Sequence, residues 1–420
     1  MKKILIHGGF HPLEDPDTSD MLSRKTAIGG NTGNMLFINA MIRTLMTEDV
    51  EIVPDYYRVR LTSGQIKKIN DNYSLFCIPL ADAFRAGNEP QLERLAALVD
   101  RLTIPVIITG VGLRADYKQN LEDYPFDGAV KKLMNAVLRR SSMVGLRGAF
   151  TGEYLKKLGY IPEKDFTVIG CPSMYTYGPE LIIRDFNTKP DAKLTVNANT
   201  LAPDYISSYI TSVMKSYDDV TVIQQKQSEI SHVYLGGDVP ENVYGDDVYL
   251  KMVKENRIKY FSSVNSWTEY LATRDVTLNT RFHGTVASVQ AGTPSVVIPI
   301  DSRMKELAEY HRLPAVRMED IKSGKIKTLE DAVSMVDITA MQDAQNKNFE
   351  HFLDFLRKNE VTTIYDDGQT SAYDKKAIGK KWTYQEESYC NVDDKELKKR
   401  QSLVNRKKKI SYYKQHFKLV

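Results

Sequence analysis

The run Leu278-Asn-Thr-Arg-Phe-His-Gly-Thr-Val-Ala-Ser-Val-Gln-Ala-Gly-Thr-Pro294 carries the densest chemistry in this chain. A β-rich stretch ends at Arg281-Phe-His283-Gly284, and Thr285 is expected to open an amphipathic helix. Such a junction sets a guanidinium and an imidazole over a helix N-terminus. There the free N–H groups, at Gly284 and Thr285, and the helix dipole favour an anion. Arginine offers a planar fork to phosphate or carboxylate, and histidine can donate a hydrogen bond or a proton. The plainer alternative is a surface ion pair beside a structural histidine.

Arg147, in Val144-Gly-Leu-Arg147-Gly-Ala-Phe-Thr151, also follows an expected strand. Facing Arg281 across a cleft, it would complete a two-sided clamp on a small polyanion. A glycine loop, Gly29-Gly30-Asn31-Thr32-Gly33-Asn34, precedes an apolar helical pattern. Its glycines allow close backbone approach, and Asn31 and Asn34 offer amides to hydroxyls or phosphates. No Gly-Lys-Ser/Thr follows, so it is not a P-loop. The segment Gly110-Val-Gly112-Leu-Arg-Ala115 fits the dinucleotide fingerprint. It lies far from the first strand, however, and no packed helix or acidic residue follows where that fingerprint needs them. Candidate acid–base and acceptor groups are spread over several strand ends: His7, His11, Asp82, Asp301, Arg303 and Glu306. Cys171 has no histidine at a diagnostic spacing and reads as a buried thiol in a turn. No metal-ligand cluster is apparent.

Parallel α/β architecture is the natural frame for these positions, because short apolar runs alternate with amphipathic stretches along the body. Strands are expected near Lys3–His7, Ser74–Ile78, Val106–Thr109, Met143–Leu146 and Phe166–Ile169. After a Pro/Gly/Asn/Asp-rich linker, Tyr177 to Asp191, others are expected near Lys193–Asn197, Val220–Gln224, Lys259–Phe261, Val276–Asn279 and Ser295–Pro299. Gly159 sits where a helix C-cap glycine belongs. Three units follow: 1–180, a Rossmann-like half with the glycine loop and Arg147; 190–343, a second such half with Arg281 and His283; and 344–420, a helix with a basic tail. Ligands of paired α/β halves bind at the carboxyl ends of the strands.

The 420 residues, 42% of them hydrophobic and 26% charged, exclude collagen-like and wholly disordered chains. No apolar stretch is long enough to span a bilayer. The opening Met-Lys-Lys-Ile-Leu-Ile is expected to be a first strand rather than a signal peptide. Cys77, Cys171 and Cys390 form no disulfide framework, which suits a reducing cytoplasm. The net charge of +3 hides an asymmetry: residues 375–420 carry +9, and the rest carries −6. The tail's Arg406-Lys-Lys-Lys409, followed by Ile410, Tyr412, Tyr413, Phe417 and Leu419, fits an anionic membrane surface better than nucleic acid. A solvated tail is the alternative.

Taken together, Gly30-Asn-Thr-Gly-Asn34, Gly145-Leu-Arg147, Gly170-Cys-Pro-Ser173, Thr280-Arg-Phe-His-Gly284 and Ala291-Gly-Thr-Pro294, with Asp301 and Arg303, resemble the polysaccharide pyruvyl transferase family. The resemblance covers roughly residues 25–315. It implies a GT-B-like pair of Rossmann-like domains facing across a cleft, with phosphoenolpyruvate as co-substrate and no resident cofactor or metal. Pyruvate would be transferred as a ketal to two hydroxyls of a sugar in a cell-surface or exopolysaccharide precursor, releasing phosphate. Arg147 and Arg281 would hold the donor, and His283 would bind its phosphate and act as acid–base. Asn34 stands where relatives often have Asp, and Asp82 where they often have Asn. A cytoplasmic enzyme, peripheral to the inner face of the membrane through its tail, is the expected setting. The alternatives are a GT-B glycosyltransferase using a nucleotide sugar and a non-catalytic glycan-assembly subunit.

Overall fold

The computed structural model describes residues 1–24 and 27–416, with backbone alone for 411–416. Phe417, Leu419 and the side chains of Tyr412 and Tyr413 therefore lie outside the described residues. Eleven strands are described: β1 Lys2–Ile6, β2 Val50–Pro54, β3 Leu75–Pro79, β4 Val106–Thr109, β5 Val144–Leu146, β6 Phe166–Val168, β7 Lys193–Asn197, β8 Asp219–Ile223, β9 Ile258–Lys259, β10 Val276–Asn279 and β11 Ser295–Val297. Two sheets result, both wholly parallel. The first runs β2-β1-β3-β4, and the β5-β6 pair extends it through a Val111–Leu146 bridge. The second runs β11-β10-β7-β8-β9. This is the GT-B-like, two-sheet α/β architecture the sequence predicts.

Helices cover the faces of the first sheet, so β3 is buried at every position and β4 likewise. Helix Asn34–Leu45 buries Leu36, Phe37, Ile38, Met41, Ile42 and Leu45, and helix Asp127–Leu138 buries Val130, Leu133, Met134 and Val137. Gly159, at φ +99°, ends helix Ala149–Lys157 as expected. Strand β2 and the helices Thr18–Ser23, Ser63–Asn72 and Gln227–Leu235 are additions to the sequence reading. Helix Ser63–Asn72 buries only Ile66 and Ile69, too sparse an apolar stripe to reveal it.

The described part of the C-terminal unit, residues 344–410, packs onto both halves. Helix Ile338–Lys358 crosses back to the first sheet's core, where Phe349, Phe352, Phe355 and Leu356 join Ile169, Met174 and Tyr175. The side chain of Asn359 then accepts from the Ser142 and Met143 amides. Helix Ala372–Ala377 docks on helix Asn34–Leu45 through the Arg43–Asp374 ion pair and a Tyr373–Asn39 hydrogen bond. Helix Asp394–His416 lies against Thr18–Ser23, with Lys407 2.8 Å from Asp17 and 2.9 Å from Asp20. The basic segment is thus anchored along one face. Lys398, Gln401, Ser402, Asn405, Arg406 and Lys409 are exposed along its outer face. No described helix is long and apolar enough to cross a membrane.

Candidate active site between the two halves

In a parallel sheet every strand delivers its next residues to the same edge, and here the two carboxyl edges meet. The first half contributes Asp82 after β3, Arg147 after β5 and Cys171 after β6. The second contributes His283 after β10 and, after β11, Arg303, Glu306 and His311. Arg147 Nη2 lies 3.9 Å from Cys171 Sγ, and His283 Nε2 lies 4.0 Å from the same sulfur. The thiol therefore sits between a cation of one half and an imidazole of the other.

Arg303 crosses to the first half and pairs with Asp82 at 3.0 Å, while its other arm meets Asp301 at 3.0 Å. Asp301 also caps its own helix, Ser302–Tyr310, by accepting from the Met304 amide at 2.8 Å. Burial alone would raise the Asp82 carboxyl. Arg303, Arg85, Arg147 and Arg114 outweigh burial and hold it below its ordinary value. The opposite happens at His283: burial first, then Arg147 and Arg303, push it well below 6.5 against the pull of Asp82. The free protein thus presents a neutral imidazole in a cationic surrounding. Among the described residues, the buried Nε atoms of Arg147 and Arg303 have no hydrogen-bond partner.

Two further groups brace the cluster. Glu306 is driven up to about 7 by burial, opposed by donation from Thr151 and by Arg147 and Arg303. His311 falls to about 3 through burial and Arg147, and its Nε2 accepts the Cys171 amide at 2.9 Å. That bond fixes the Gly170-Cys171 turn. Glu306 stands one turn beyond Arg303 and is legible as a candidate; nothing local marks His311.

The Arg281 junction differs from expectation in two ways. Helix Phe282–Gln290 begins at Phe282, not Thr285, because Phe282, Val286 and Val289 form one buried face. His283 consequently lies in the first turn. Arg281, the N-cap residue, does not face Arg147. Both arms of its fork grip the buried Glu229 carboxylate, at 2.6 and 3.1 Å. Glu229 also accepts the Gln225 and Lys226 amides, which ties the end of β8 to the end of β10. Gly284 packs on Asn197 and Asn279, and the Thr285 hydroxyl is buried within hydrogen-bond reach of Ser295. Asn197, Gln225 and Glu229 escaped the sequence reading, since only the sheet order brings them here.

The glycine loop spans the two halves. The Thr32 amide donates to the Gln225 carbonyl, and the Gln227 amide donates to the Gly30 carbonyl. A Cβ on Gly33 would lie 2.8 Å from His283 Nδ1 and 2.9 Å from Gln225 Oε1, so any larger residue there would push these two side chains aside. Asn31 accepts from the Gly33 amide, and Asn34 donates to the Ile28 and Gly29 carbonyls. These two amides hold the loop's shape. His11 sits apart, lowered to about 4 by burial and by Lys376 and Lys380.

The family model described as polysaccharide pyruvyl transferase matches residues 31–302, well over half of the chain. Among curated proteins, none matches it. The UDP-GlcNAc 2-epimerase of Neisseria meningitidis, solved with UDP-GlcNAc, is 11% identical at a TM-score of 0.46, over 86% of this chain and 100% of that one. The Methanocaldococcus jannaschii UDP-GlcNAc 2-epimerase, solved with UDP-GlcNAc and UDP, is 14% identical at 0.45, over 85% and 99%. MurG of Acinetobacter baumannii is 13% identical at 0.36, over 85% and 100%. Likeness at this level says nothing of what this chain binds.

Proposed function

Because the chain belongs to the polysaccharide pyruvyl transferase family, we propose that its cleft binds phosphoenolpyruvate and transfers pyruvate, as a cyclic ketal, to two hydroxyls of a sugar in a surface-glycan precursor. The observation carrying this reading is the convergence of Arg147 and Arg303 on His283 at the carboxyl edges of two sheets. A phosphate monoester brings about −1.5 to −2 of charge near neutral pH, and the carboxylate adds one more. Such a donor suits cations packed too tightly to be satisfied by one another. Arg147 and Arg303 hold its anionic groups. His283 binds the phosphate and takes up a proton as that charge arrives. Arg281 acts from behind through Glu229, fixing the helix turn that carries His283. Arginines on the departing phosphate stabilise charge that grows in the transition state. The reading invokes no resident cofactor or metal.

The partners proposed are therefore phosphoenolpyruvate, a glycan or lipid-linked sugar acceptor, and an anionic membrane face met by the outer side of helix Asp394–His416. A cytoplasmic location fits that donor. The test is phosphate release from phosphoenolpyruvate across a panel of glycan acceptors, with mass analysis for the added ketal. Saturation by a nucleotide sugar, without response to phosphoenolpyruvate, would favour a glycosyltransferase instead.

A further inference from the structure

Outside the arginine cluster, one more pair is built like a proton-transfer device. His7 follows β1 and Asp55 follows the adjacent β2, so both lie at the first sheet's carboxyl edge. His7 Nδ1 is 2.6 Å from Asp55 Oδ2, and Asp55 Oδ1 accepts the Gly8 and Tyr57 amides at 3.1 and 2.7 Å. The carboxylate is buried, with its acceptor sites occupied, and it fixes the ring's orientation. Tyr56 and Tyr57 both hold positive φ, at 52° and 55°, a strained turn for non-glycine residues. That turn brings the Tyr57 ring edge-on to His7, with centroids 4.9 Å apart. His7 Nε2 has no protein partner among the described residues, and the ring stays partly open to solvent.

Neighbours of the pair touch the glycine loop and the residues that lead into it. The Phe10 amide donates to the Ala27 carbonyl, and the Tyr57 hydroxyl would be 3.2 Å from a Cβ on Gly29. The same loop reaches His283 at Gly33. A sugar lying along the loop would therefore have His7 near one end and the donor site at the other.

We propose that His7, oriented by Asp55, is the catalytic base that takes the proton of an attacking sugar hydroxyl. This rests on the pyruvyl-transfer reading above. In the step, the C2=C3 π bond opens as C3 takes the proton held by His283, while the hydroxyl proton passes to His7 Nε2 and the oxygen bonds to C2 of the donor. Over the whole reaction two C2–O(sugar) bonds form, and the C2–O(phosphate) bond breaks with its electron pair leaving on phosphate. Of the two hydroxyl protons, one ends on the methylene carbon, which becomes methyl, and the other on the released phosphate. Asp55 is a positioning residue that holds the ring through Nδ1, and the Tyr57 ring packs edge-on against it.

The experiment compares wild type with His7→Gln, His7→Ala and Asp55→Asn. Phosphate release, calorimetric phosphoenolpyruvate binding and thermal melting are measured for each. His7→Gln is expected to lower turnover about 10²–10⁴-fold while donor affinity and melting stay near wild type. Added imidazole should restore part of the turnover of His7→Ala but not that of Asp55→Asn, a response that a mere tie between strands would not give. Full turnover in a folded His7→Gln, with wild type active, overturns the inference alone. Absence of phosphoenolpyruvate binding by wild type overturns the pyruvyl-transfer reading, and this inference falls with it.

Discussion

Thr151 of the first half donates both its amide, at 2.9 Å, and its hydroxyl, at 2.9 and 3.1 Å, to the Glu306 carboxylate of the second. The contact caps helix Ala149–Lys157 from across the cleft and stands beside Arg147 and Arg303. A carboxyl that titrates near 4.5 in the unfolded chain and near 7 in the folded one binds its proton more tightly when folded. Raising the pH from about 4.5 to 7 therefore removes stability, up to about 3 kcal/mol. Denaturant unfolding at both ends of that window should show the loss in wild type and a flatter profile in Glu306→Gln. An identical pH slope in the two proteins would mean that Glu306 does not titrate in the folded state.

Arg147 and Arg281 should separate on substitution, although both follow strands. Arg147→Ala leaves the donor's charge uncompensated, so phosphoenolpyruvate affinity should fall by about 2–5 kcal/mol with little change in melting. Arg281→Ala strands the buried Glu229, and the expected cost is about 3–5 kcal/mol of stability. Replacing both partners, as Arg281→Met with Glu229→Leu, should recover much of that stability. A double variant no more stable than Arg281→Ala would sink the positioning role given to this pair.

His283 is held neutral by burial and two arginines, so arrival of a polyanion should raise its proton affinity. Calorimetry in buffers of different ionisation enthalpy is expected to show proton uptake on phosphoenolpyruvate binding at neutral pH. In His283→Gln that uptake should vanish, and turnover should drop about 10²–10⁴-fold. Equal uptake in both proteins would remove His283 from the protonation step.

Deleting the basic segment would be a poor probe of membrane contact, because Val404 and Arg400 are buried against the body. Lys398, Arg406 and Lys409 point outward, each worth about 1 kcal/mol at an anionic surface. Their joint replacement by Glu should abolish sedimentation with anionic vesicles while leaving melting and donor binding unchanged. Wild type that sediments equally with neutral vesicles would end the membrane proposal.

The strands other than β2, the Gly159 cap and the presence of a strand-to-helix junction at Arg281-Phe-His283 were readable from sequence, because apolar period and capping chemistry reside in neighbouring residues. Arg147, His283, Asp82 and Arg303 were recognisable as strand-end candidates for the same reason. What they touch was not. Arg281 could have faced an anion or an internal carboxylate, and only the β10-β7-β8 order brings Glu229 within its fork. Arg303 reaches Asp82, Glu306 reaches Thr151 and His7 reaches Asp55 only because separate strands end at shared edges. Local patterning fixes where each charged side chain leaves the backbone. The packing of one sheet's edge against another decides whether it meets a partner or is left free for a ligand.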